Sequence, residues 1–310
     1  NIAERWMAPS GRAEDGIDGW RLDVAYCVPD VFWKKWRKKV KQINPEAYLV
    51  GEVIGIEPRY LWGDQFDALM NYPFLGVVGK FFIVPQKSGP VTWFDRELEK
   101  IREAYPPRTV GAMQNLVDSH DTARIRSQIV NPKFYQQSWA NFYRTSQSET
   151  NPDYRVDRGE ERDQRIQKLI VVFQMTYPGS PMIYYGDEAG MNGTNDPDCR
   201  KPMLWEDLDY EDEAVHPYWR YVRPREPNRI DRDLFNHYRK LIHIRNGSLA
   251  LRRGDFETVY IDDLKNVYGF SRRYEKERVI VFLNNSDRIQ KISWKLQNPR
   301  VTFFEDLLRS

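Results

Sequence analysis

Short apolar runs alternate with amphipathic helical segments between residues 17 and 245 of this chain. Five apolar runs have the length and composition of buried strands: 17–24, 48–53, 66–71, 115–119 and 182–186. The segments between and after them, such as 31–43 and 234–245, have helical periodicity, and Asp30 is a suitable N-cap for the first of these two. Alternation at this spacing predicts βαβ units that build one parallel sheet. The fold class is therefore α/β.

The pattern changes after Gly254. Four short strand-like runs follow, at 258–261, 267–272, 279–284 and 289–294, separated by turn residues. They predict a small antiparallel domain, with a β-sandwich as its expected form. The sequence thus divides into an α/β part over 1–252 and an all-β part over 253–310. A long polar stretch at 127–160 is expected to be a surface insertion in the first part.

The charge balance argues against a nucleic-acid partner, because 47 basic residues face 45 acidic ones and the net charge is +2. The basic run from Lys34 to Lys41 shares its segment with an apolar stripe at steps of three, four and three (Trp33, Trp36, Val40 and Ile43). The lysines are then expected on the solvated face of a helix. No run approaches the roughly 20 apolar residues that a membrane span needs. The two cysteines, Cys27 and Cys199, favour two free thiols, and a disulfide between them is the less favoured alternative.

Three carboxylates follow predicted strands: Asp23, Glu52 and Asp121. The carboxyl ends of parallel strands commonly carry the active site of an α/β barrel. Glycoside hydrolysis needs one ionised and one protonated carboxyl group. Arg21 shares a strand face with Asp23 and can hold it ionised, whereas Glu52 has apolar sequence neighbours that suit a protonated acid.

Each of these signals has a plain structural alternative. An Arg-x-Asp pair on a strand is more often a structural ion pair, and a Glu after a Gly is uninformative by itself. The triplet Ser119-His120-Asp121 invites comparison with a hydrolase triad, but adjacent residues cannot adopt that geometry. The order of the three segments, taken together, is what favours an active site.

Three segments in this order resemble the second, third and fourth signature regions of the α-amylase family, glycoside hydrolase family 13. They are Gly-Trp-Arg-Leu-Asp-Val-Ala at 19–25, Gly-Glu-Val at 51–53 and Val-Asp-Ser-His-Asp at 117–121. Residues 179–188 are similar to the last barrel strand of that family. Two further segments, 63–73 and 195–203, resemble the group of neopullulanases, cyclomaltodextrinases and maltogenic amylases.

The resemblance implies the C-terminal part of a (β/α)8 barrel, strands 4 to 8, followed by a β-sandwich. It also implies a retaining hydrolase of α-1,4-glucosidic bonds in maltodextrins, cyclodextrins or pullulan. Three catalytic roles carry over by motif position: Asp23 as nucleophile, Glu52 as general acid/base and Asp121 as transition-state stabiliser. Four substrate-binding or orienting residues carry over in the same way, namely Arg21, His120, Asp196 and Arg200.

Some of the family pattern is absent from this sequence. The first signature, with its Asp and His, has no counterpart, and neither do the first three barrel strands or the inserted B domain. We therefore expect a fragment of a longer protein, or a chain that requires a partner. The expected partner molecule is an α-glucan, with no nucleic acid and no membrane, and a homodimer formed through an N-terminal region remains open. No cofactor is indicated, and calcium stays undecided because the family binds it largely through regions outside this sequence.

Two other functions stay open at this point. A transglycosylase of the same family would use the same carboxylates and differ in whether water or a sugar accepts the intermediate. A non-catalytic amylase-like binding protein typically lacks one or more carboxylates, and all three stand here. The compartment, whether cytoplasmic, periplasmic or secreted, is not indicated.

Overall fold

Five short strands run parallel and follow one another in chain order. The computed structural model describes residues 2–84, 90–135, 144–147, 151–216, 222–295 and 305–309. The first three strands form one sheet, the last two pair with each other, and a parallel bridge from Met70 to Gln114 links the two groups. The predicted parallel α/β arrangement is therefore confirmed. The strands are β1 (Gly19–Leu22), β2 (Tyr48–Gly51), β3 (Ala68–Leu69), β4 (Gln114–Asn115) and β5 (Ser180–Pro181).

The prediction of a strand over 182–186 was misplaced, because β5 ends at Pro181. The ladder to β4 finishes with the hydrogen bond from Met182 N to Asn115 O, 3.0 Å long. The chain then turns, with Asp187 N donating to Tyr184 O and Gly186 at φ +88°. Residues 183–188 therefore form a loop at the carboxyl end of the sheet.

Helices cover both the connections and the outside of these strands. The segment predicted over 31–43 is a helix whose buried residues are Trp33 and Val40, as the apolar stripe requires. Asp30 is its first residue rather than its cap, and the Asp30 carboxylate binds Arg59 at 2.9 Å. The helices are α1 (Ile2–Met7), α2 (Asp30–Ile43), α3 (Tyr72–Ile83), α4 (Val91–Glu103), α5 (Pro107–Val110), α6 (Ile125–Val130), α7 (Glu161–Thr176), α8 (Arg232–Gly247) and α9 (Leu249–Arg253).

Two antiparallel units complete the described structure. One is a hairpin that the sequence analysis did not predict, β6 (Glu213–Val215) with β7 (Val222–Glu226). The other is a three-stranded sheet in the order β10-β9-β8. Its strands are β8 (Asp255–Asp262), β9 (Val267–Tyr274) and β10 (Glu277–Asn284).

The predicted strand at 289–294 is wrong, because these residues form no ladder. After β10 the chain adds no strand to the sheet, although the Trp294 ring packs edge-on against Phe282 of β10 with centroids 5.8 Å apart. Asn285 N donates to Asn266 O at 2.9 Å, and Asn285 Nδ2 donates to Phe81 O of α3 at 2.8 Å. One antiparallel sheet is therefore what the described residues after 253 contain.

The C-terminal sheet shares a core with the helices of the α/β part. Phe94 of α4 packs edge-on against Tyr268 with ring centroids 5.4 Å apart, and Phe173 of α7 packs against Phe270 at 5.9 Å. Asp95 accepts hydrogen bonds from the hydroxyl groups of Thr258 and Tyr268. Aromatic packing and these partly buried hydrogen bonds hold the sheet against α4 and α7.

The expectation of a surface insertion is wrong for the start of 127–160. Every residue of α6 is buried, and α6 packs against α3 and α7. Further along, Tyr154 is buried, and Tyr135 donates its hydroxyl to Leu75 O at 3.1 Å. Residues 136–143 and 148–150 lie outside the described part of the chain.

No helix in the described ranges is long and apolar enough to cross a membrane.

Candidate active site

Asp23 and Glu52 lie side by side because their strands are in register. Leu22 is paired with Gly51, so each carboxylate follows its strand by one residue. The backbone continues the pairing past the strand ends. Glu52 N donates to Leu22 O at 2.9 Å, and Ala25 N donates to Glu52 O at 3.1 Å. The predicted position of both residues at the carboxyl edge of the sheet is what the structure has.

One guanidinium group contacts both carboxylates. Arg21 on β1 forms an ion pair with Asp23, as the i,i+2 spacing predicted. Its other terminal nitrogen, Nη2, lies 2.6 Å from Glu52 Oε1. The neighbours of Glu52 in the sequence are apolar, but in the structure its carboxylate contacts the Arg21 guanidinium. Arg21 brings Asp23 and Glu52 within the span of a single side chain.

Burial is what distinguishes the two carboxylates. The side chain of Asp23 is 72% exposed, whereas that of Glu52 is 10% exposed. Glu52 Oε2 also accepts a hydrogen bond from Val24 N at 2.8 Å. Val24 reaches this position with a left-handed backbone, φ +43°, which is unusual for a β-branched residue.

Asp121 and its neighbours form a second group. His120 Nε2 lies 3.1 Å from Asp121 Oδ2, and Arg200 Nη2 lies 2.9 Å from Asp121 Oδ1. Arg200 Nε also lies 2.8 Å from Asp196 Oδ1. The structure thus brings together all four residues that were proposed for sugar binding or stabilisation on these two segments.

Cys199 forms a hydrogen bond with the backbone of this second group. Its thiol donates to His120 O at 3.1 Å, and burial raises the pKa of Cys199 to about 12, which keeps the donor protonated. Cys27 is exposed, and both cysteines are free thiols. The less favoured disulfide is therefore not formed.

Two tyrosines are affected by the charges of carboxylates in both groups, that is, Asp23 and Glu52 on one side and Asp121 on the other. The sequence analysis did not select either tyrosine as a site residue. Burial raises the pKa of Tyr72, and the negative charges of Glu52 and Asp121 add to the effect. Burial likewise raises the pKa of the half-exposed Tyr26, with Cys27, Glu52, Asp23 and Asp121 contributing. The negative charges of all three carboxylates therefore contribute to the raised pKa of Tyr26. The signal for Tyr26 was its spacing of three residues after Asp23.

A family model for the catalytic domain of alpha amylase matches residues 2–254. The chain belongs to the α-amylase family. Neopullulanase 2 of Thermoactinomyces vulgaris is 37% identical over 292 residues, which cover 94% of this chain and 40% of that protein. A cyclomaltodextrinase of Bacillus sp is 37% identical over 283 residues, covering 91% of this chain and 40% of that protein.

The solved structures include a cyclomaltodextrinase with a TM-score of 0.73 and 34% identity, which matches 96% of this chain and 41% of its own. The ligand-free cyclic alpha-maltosyl-(1-->6)-maltose hydrolase from Arthrobacter globiformis has a TM-score of 0.67 and 25% identity, with 87% of this chain and 49% of its own covered. The chain spans about 40% of the length of the curated relatives it matches.

In this member of the α-amylase family, the unpredicted hairpin holds the segment that carries Asp196 and Arg200. Arg223 of β7 pairs with Asp198 at 2.9 Å and with Glu213 of β6, and Lys201 pairs with Glu213 at 2.6 Å. Burial alone would raise the pKa of Asp198, but Lys201 and Arg223 outweigh it and hold that pKa below its usual range. The side chains of Asp198 and Arg223 are almost fully buried. This network therefore ties the segment that carries Asp196 and Arg200 to the hairpin of β6 and β7.

The described residues contain no group of three or more His, Cys, Asp or Glu side chains that could hold a metal ion.

Proposed function

We propose that this chain carries the catalytic part of a retaining glycoside hydrolase that cleaves α-1,4-glucosidic bonds in maltodextrins, cyclodextrins or pullulan. The single observation that carries the proposal is the contact of Arg21 with both Asp23 and Glu52. Retaining enzymes need their two carboxyl groups about 5 to 5.5 Å apart, whereas inverting enzymes leave room for a water molecule. Two carboxylates bound to one guanidinium favour the shorter separation. The relatives named neopullulanase and cyclomaltodextrinase support the substrate class.

In the proposed mechanism, Asp23 attacks the anomeric carbon while Glu52 gives a proton to the departing glycosidic oxygen. A covalent glycosyl-enzyme forms on Asp23, and Glu52 then takes a proton from the water that hydrolyses it. The exposure of the two side chains supports this division of roles. Asp23 is exposed, as a nucleophile that must reach the sugar has to be, whereas Glu52 is largely buried and is held in place by Arg21 and by Val24 N.

We assign the second group to binding and stabilisation. Asp121 would bind hydroxyl groups of the distorted sugar and stabilise its developing positive charge, with His120 at the same subsite. Asp196 and Arg200 would bind glucose units further toward the non-reducing end. The Arg200 contacts with Asp121 and Asp196 support one continuous binding surface across the two subsites.

We also propose that β1 to β5 correspond to strands 4 to 8 of a (β/α)8 barrel. The chain order of the five strands, their parallel direction and the carboxylates at their carboxyl ends support this assignment. The barrel part would cover 1–252 and the all-β domain 253–310, with a β-sandwich as the form of the latter.

The test uses the full-length protein that contains this chain. Because removal of a catalytic nucleophile costs a factor on the order of 10⁶ in kcat, Asp23→Asn should lose essentially all hydrolysis of cyclodextrin and pullulan, measured as new reducing ends. Glu52→Ala should still form the glycosyl-enzyme from an aryl maltoside whose leaving group needs no proton. Added azide should speed the breakdown of that intermediate, because azide attacks without the help of a base. NMR of the first product should show the α-anomer, as double displacement requires.

Asp18→Asn is the matched control, because Asp18 is an exposed carboxylate at the opposite end of β1. It should behave as the unmodified protein. Hydrolysis by Asp23→Asn at the level of Asp18→Asn would contradict the nucleophile assignment. Products longer than the substrate at high acceptor concentration would favour the transglycosylase, and sugar binding without any turnover would favour the non-catalytic binding protein.

A further inference from the structure

A cavity of about 260 Å³ is lined by the hairpin of β6 and β7 together with residues from 190–192 and 201–204. Among the described residues that line it, none belongs to the proposed catalytic or sugar-binding set. Arg200 and Lys201 are neighbours in the chain, but Arg200 binds Asp121 of the candidate site and Lys201 binds Glu213 of the hairpin. Ligand pockets commonly measure roughly 300–1,000 Å³, so this smaller volume suits a ligand of one ring. The cavity is therefore separate from the candidate active site.

One part of the cavity wall is apolar. Met191 and Leu204 are each 5% exposed and belong to one packed cluster. The ring of Tyr210 packs against the same cluster. Its hydroxyl is already engaged, because Trp205 N donates to it at 2.8 Å and it donates to Met203 O at 3.1 Å. The Tyr210 ring is therefore held in place and offers a ligand aromatic surface rather than a hydrogen bond.

Other residues that line the cavity carry unused hydrogen-bonding atoms. Glu226 accepts from Arg158 N through Oε2 at 3.3 Å, and within the described ranges its Oε1 has no protein partner. Asn228 donates through Nδ2 to Glu211 O at 2.9 Å, and its Oδ1 is likewise left as an acceptor. Arg158 donates through Nη2 to Arg229 O, which leaves its Nε and Nη1 as donors. The cavity thus offers a ligand both donors and acceptors.

The charges around the cavity balance one another. Lys201 Nζ pairs with Glu213 Oε2 at 2.6 Å, and Arg158 and Glu226 add one positive and one negative charge. An anion would require donors alone and a cation would require acceptors alone, whereas a hydroxyl group donates and accepts. The wall therefore suits a neutral ligand that has several hydroxyl groups and an apolar face. A pyranose sugar has both.

We propose that this cavity is a second sugar site, which binds one glucopyranose unit away from the catalytic carboxylates. Met191, Leu204 and Tyr210 contact the carbon atoms of the sugar ring, and Glu226 and the polar residues beside it bind its hydroxyl groups. The choice of glucose among the pyranoses rests on the proposed function, since an α-glucan and its hydrolysis products supply that sugar.

The test follows the methyl group of Met191, which reports on the cavity directly. The full-length protein carries Glu52→Gln, so that maltotetraose is not hydrolysed, and its methionine methyl groups are labelled with ¹³C for NMR. Met191→Leu assigns the signal. Glucose should shift the Met191 signal saturably, whereas sorbitol, an open-chain polyol without a ring face, should leave it in place. The same titration with maltotetraose shows whether the end of a glucan chain binds here as well as the free sugar.

Two variants test the cavity wall. Glu226→Ala should weaken glucose binding at Met191 about tenfold, because it removes a charged acceptor for a sugar hydroxyl. Val215→Trp should also weaken it, since Val215 lines the cavity and is 40% exposed, so that a larger ring can occupy part of the space without disturbing the core. Glu211→Ala is the matched control for Glu226→Ala, because Glu211 is an exposed carboxylate that does not line the cavity. It should bind glucose as its parent does.

Near-UV circular dichroism checks the fold of each variant. A Met191 signal that glucose does not shift would overturn the proposal, as would an equal shift by sorbitol or equal affinities of Glu226→Ala and Glu211→Ala. Failure of the proposed function is recognised separately through Asp23→Asn. Loss of hydrolysis in Asp23→Asn beside an unmoved Met191 signal overturns the second site alone. Saturable binding at Met191 beside unchanged hydrolysis in Asp23→Asn counts against the proposed function alone.

Discussion

Val24 follows Asp23 in the chain and forms a hydrogen bond with Glu52, and its backbone conformation is strained. Its φ of +43° places a β-branched side chain in the left-handed region, which costs on the order of 1–3 kcal/mol. The same conformation directs Val24 N to Glu52 Oε2. The strain therefore orients one oxygen of the proposed acid/base.

We expect Val24→Asn to raise the free energy of unfolding by about 1 kcal/mol, because Asn tolerates the left-handed region better than Val does. The side chain of Val24 is partly exposed at 36%, so little burial is lost. Urea denaturation of the full-length protein measures the change. Val31→Asn is the control, since Val31 is 61% exposed in the first turn of α2 without a positive φ. Equal destabilisation by both substitutions would mean that Val24 stores no strain.

The positions of Asp23, Glu52 and Asp121 were predictable because strand periodicity and the order of the motifs are local properties of the sequence. The second contact of Arg21 was not. It depends on the register of β1 against β2, which pairs Arg21 with Val50 and so sets Glu52 beside the guanidinium. The burial of Asp118 and Asp187 was not predicted either, because residues from distant segments cover them. Contacts between distant segments follow from packing, not from local pattern.

At the scale of elements, the hairpin of β6 and β7 is short, but its ion pairs hold the segment that carries Asp196 and Arg200. Its residues read as charged and polar, such as Arg-Pro-Arg-Glu at 223–226, and have no clear period of two. The burial of Arg223 comes from its partners Asp198 and Glu213 rather than from apolar packing. Periodicity found the long helices and the C-terminal strands, where one apolar face decides the fold. Apolar periodicity did not predict this hairpin, because ion pairs rather than an apolar face stabilise it.

Arg223→Leu should be strongly destabilising, because it leaves Asp198 buried without its guanidinium partner. Breaking a buried ion pair in this way costs about 3–5 kcal/mol. Affinity for maltotetraose should also fall, since Asp198 lies between Asp196 and Arg200. Urea denaturation and calorimetry measure the two effects.

The same strand provides the control for this experiment. Arg225 is 76% exposed at the side chain and pairs with Asp212 at 3.0 Å near the surface. Arg225→Leu should change stability by less than about 1 kcal/mol, as exposed ion pairs do. Equal losses from the two substitutions would show that the hairpin is not held through Arg223.

At the scale of the whole molecule, the buried carboxyl groups of Asp118 and Asp187 lie on parts of the chain that are far apart in the sequence. Asp118 follows β4 and Asp187 follows β5, and Gln167 of α7 donates to Asp187 O and to the hydroxyl of Tyr238 on α8. Since these elements meet at one buried point, protonation there affects the stability of the whole fold and not of one loop.

The sign of this effect follows from the raised pKa of Asp118, which is about 6 in the folded protein. An aspartate in the unfolded chain has a pKa of about 3.9, so the unfolded state releases its proton first as the pH rises. Between about pH 4 and pH 6 the folded state then binds more protons than the unfolded state, and the contribution of Asp118 to stability falls. Asp67 and Asp198, whose pKa values are lowered, contribute in the opposite direction and mask this fall in the unmodified protein.

A difference measurement separates the two effects. We expect the free energy of unfolding of Asp118→Asn, minus that of the unmodified protein, to rise as the pH increases from 4 to 6. The substitution removes the group that loses stability over this range and leaves Asp67 and Asp198 in place. Urea denaturation at half-unit pH steps gives the difference, and Asp209→Asn, at an exposed aspartate, should give a difference that does not change with pH. A flat difference for Asp118→Asn would mean that the pKa of Asp118 is not raised in the folded protein.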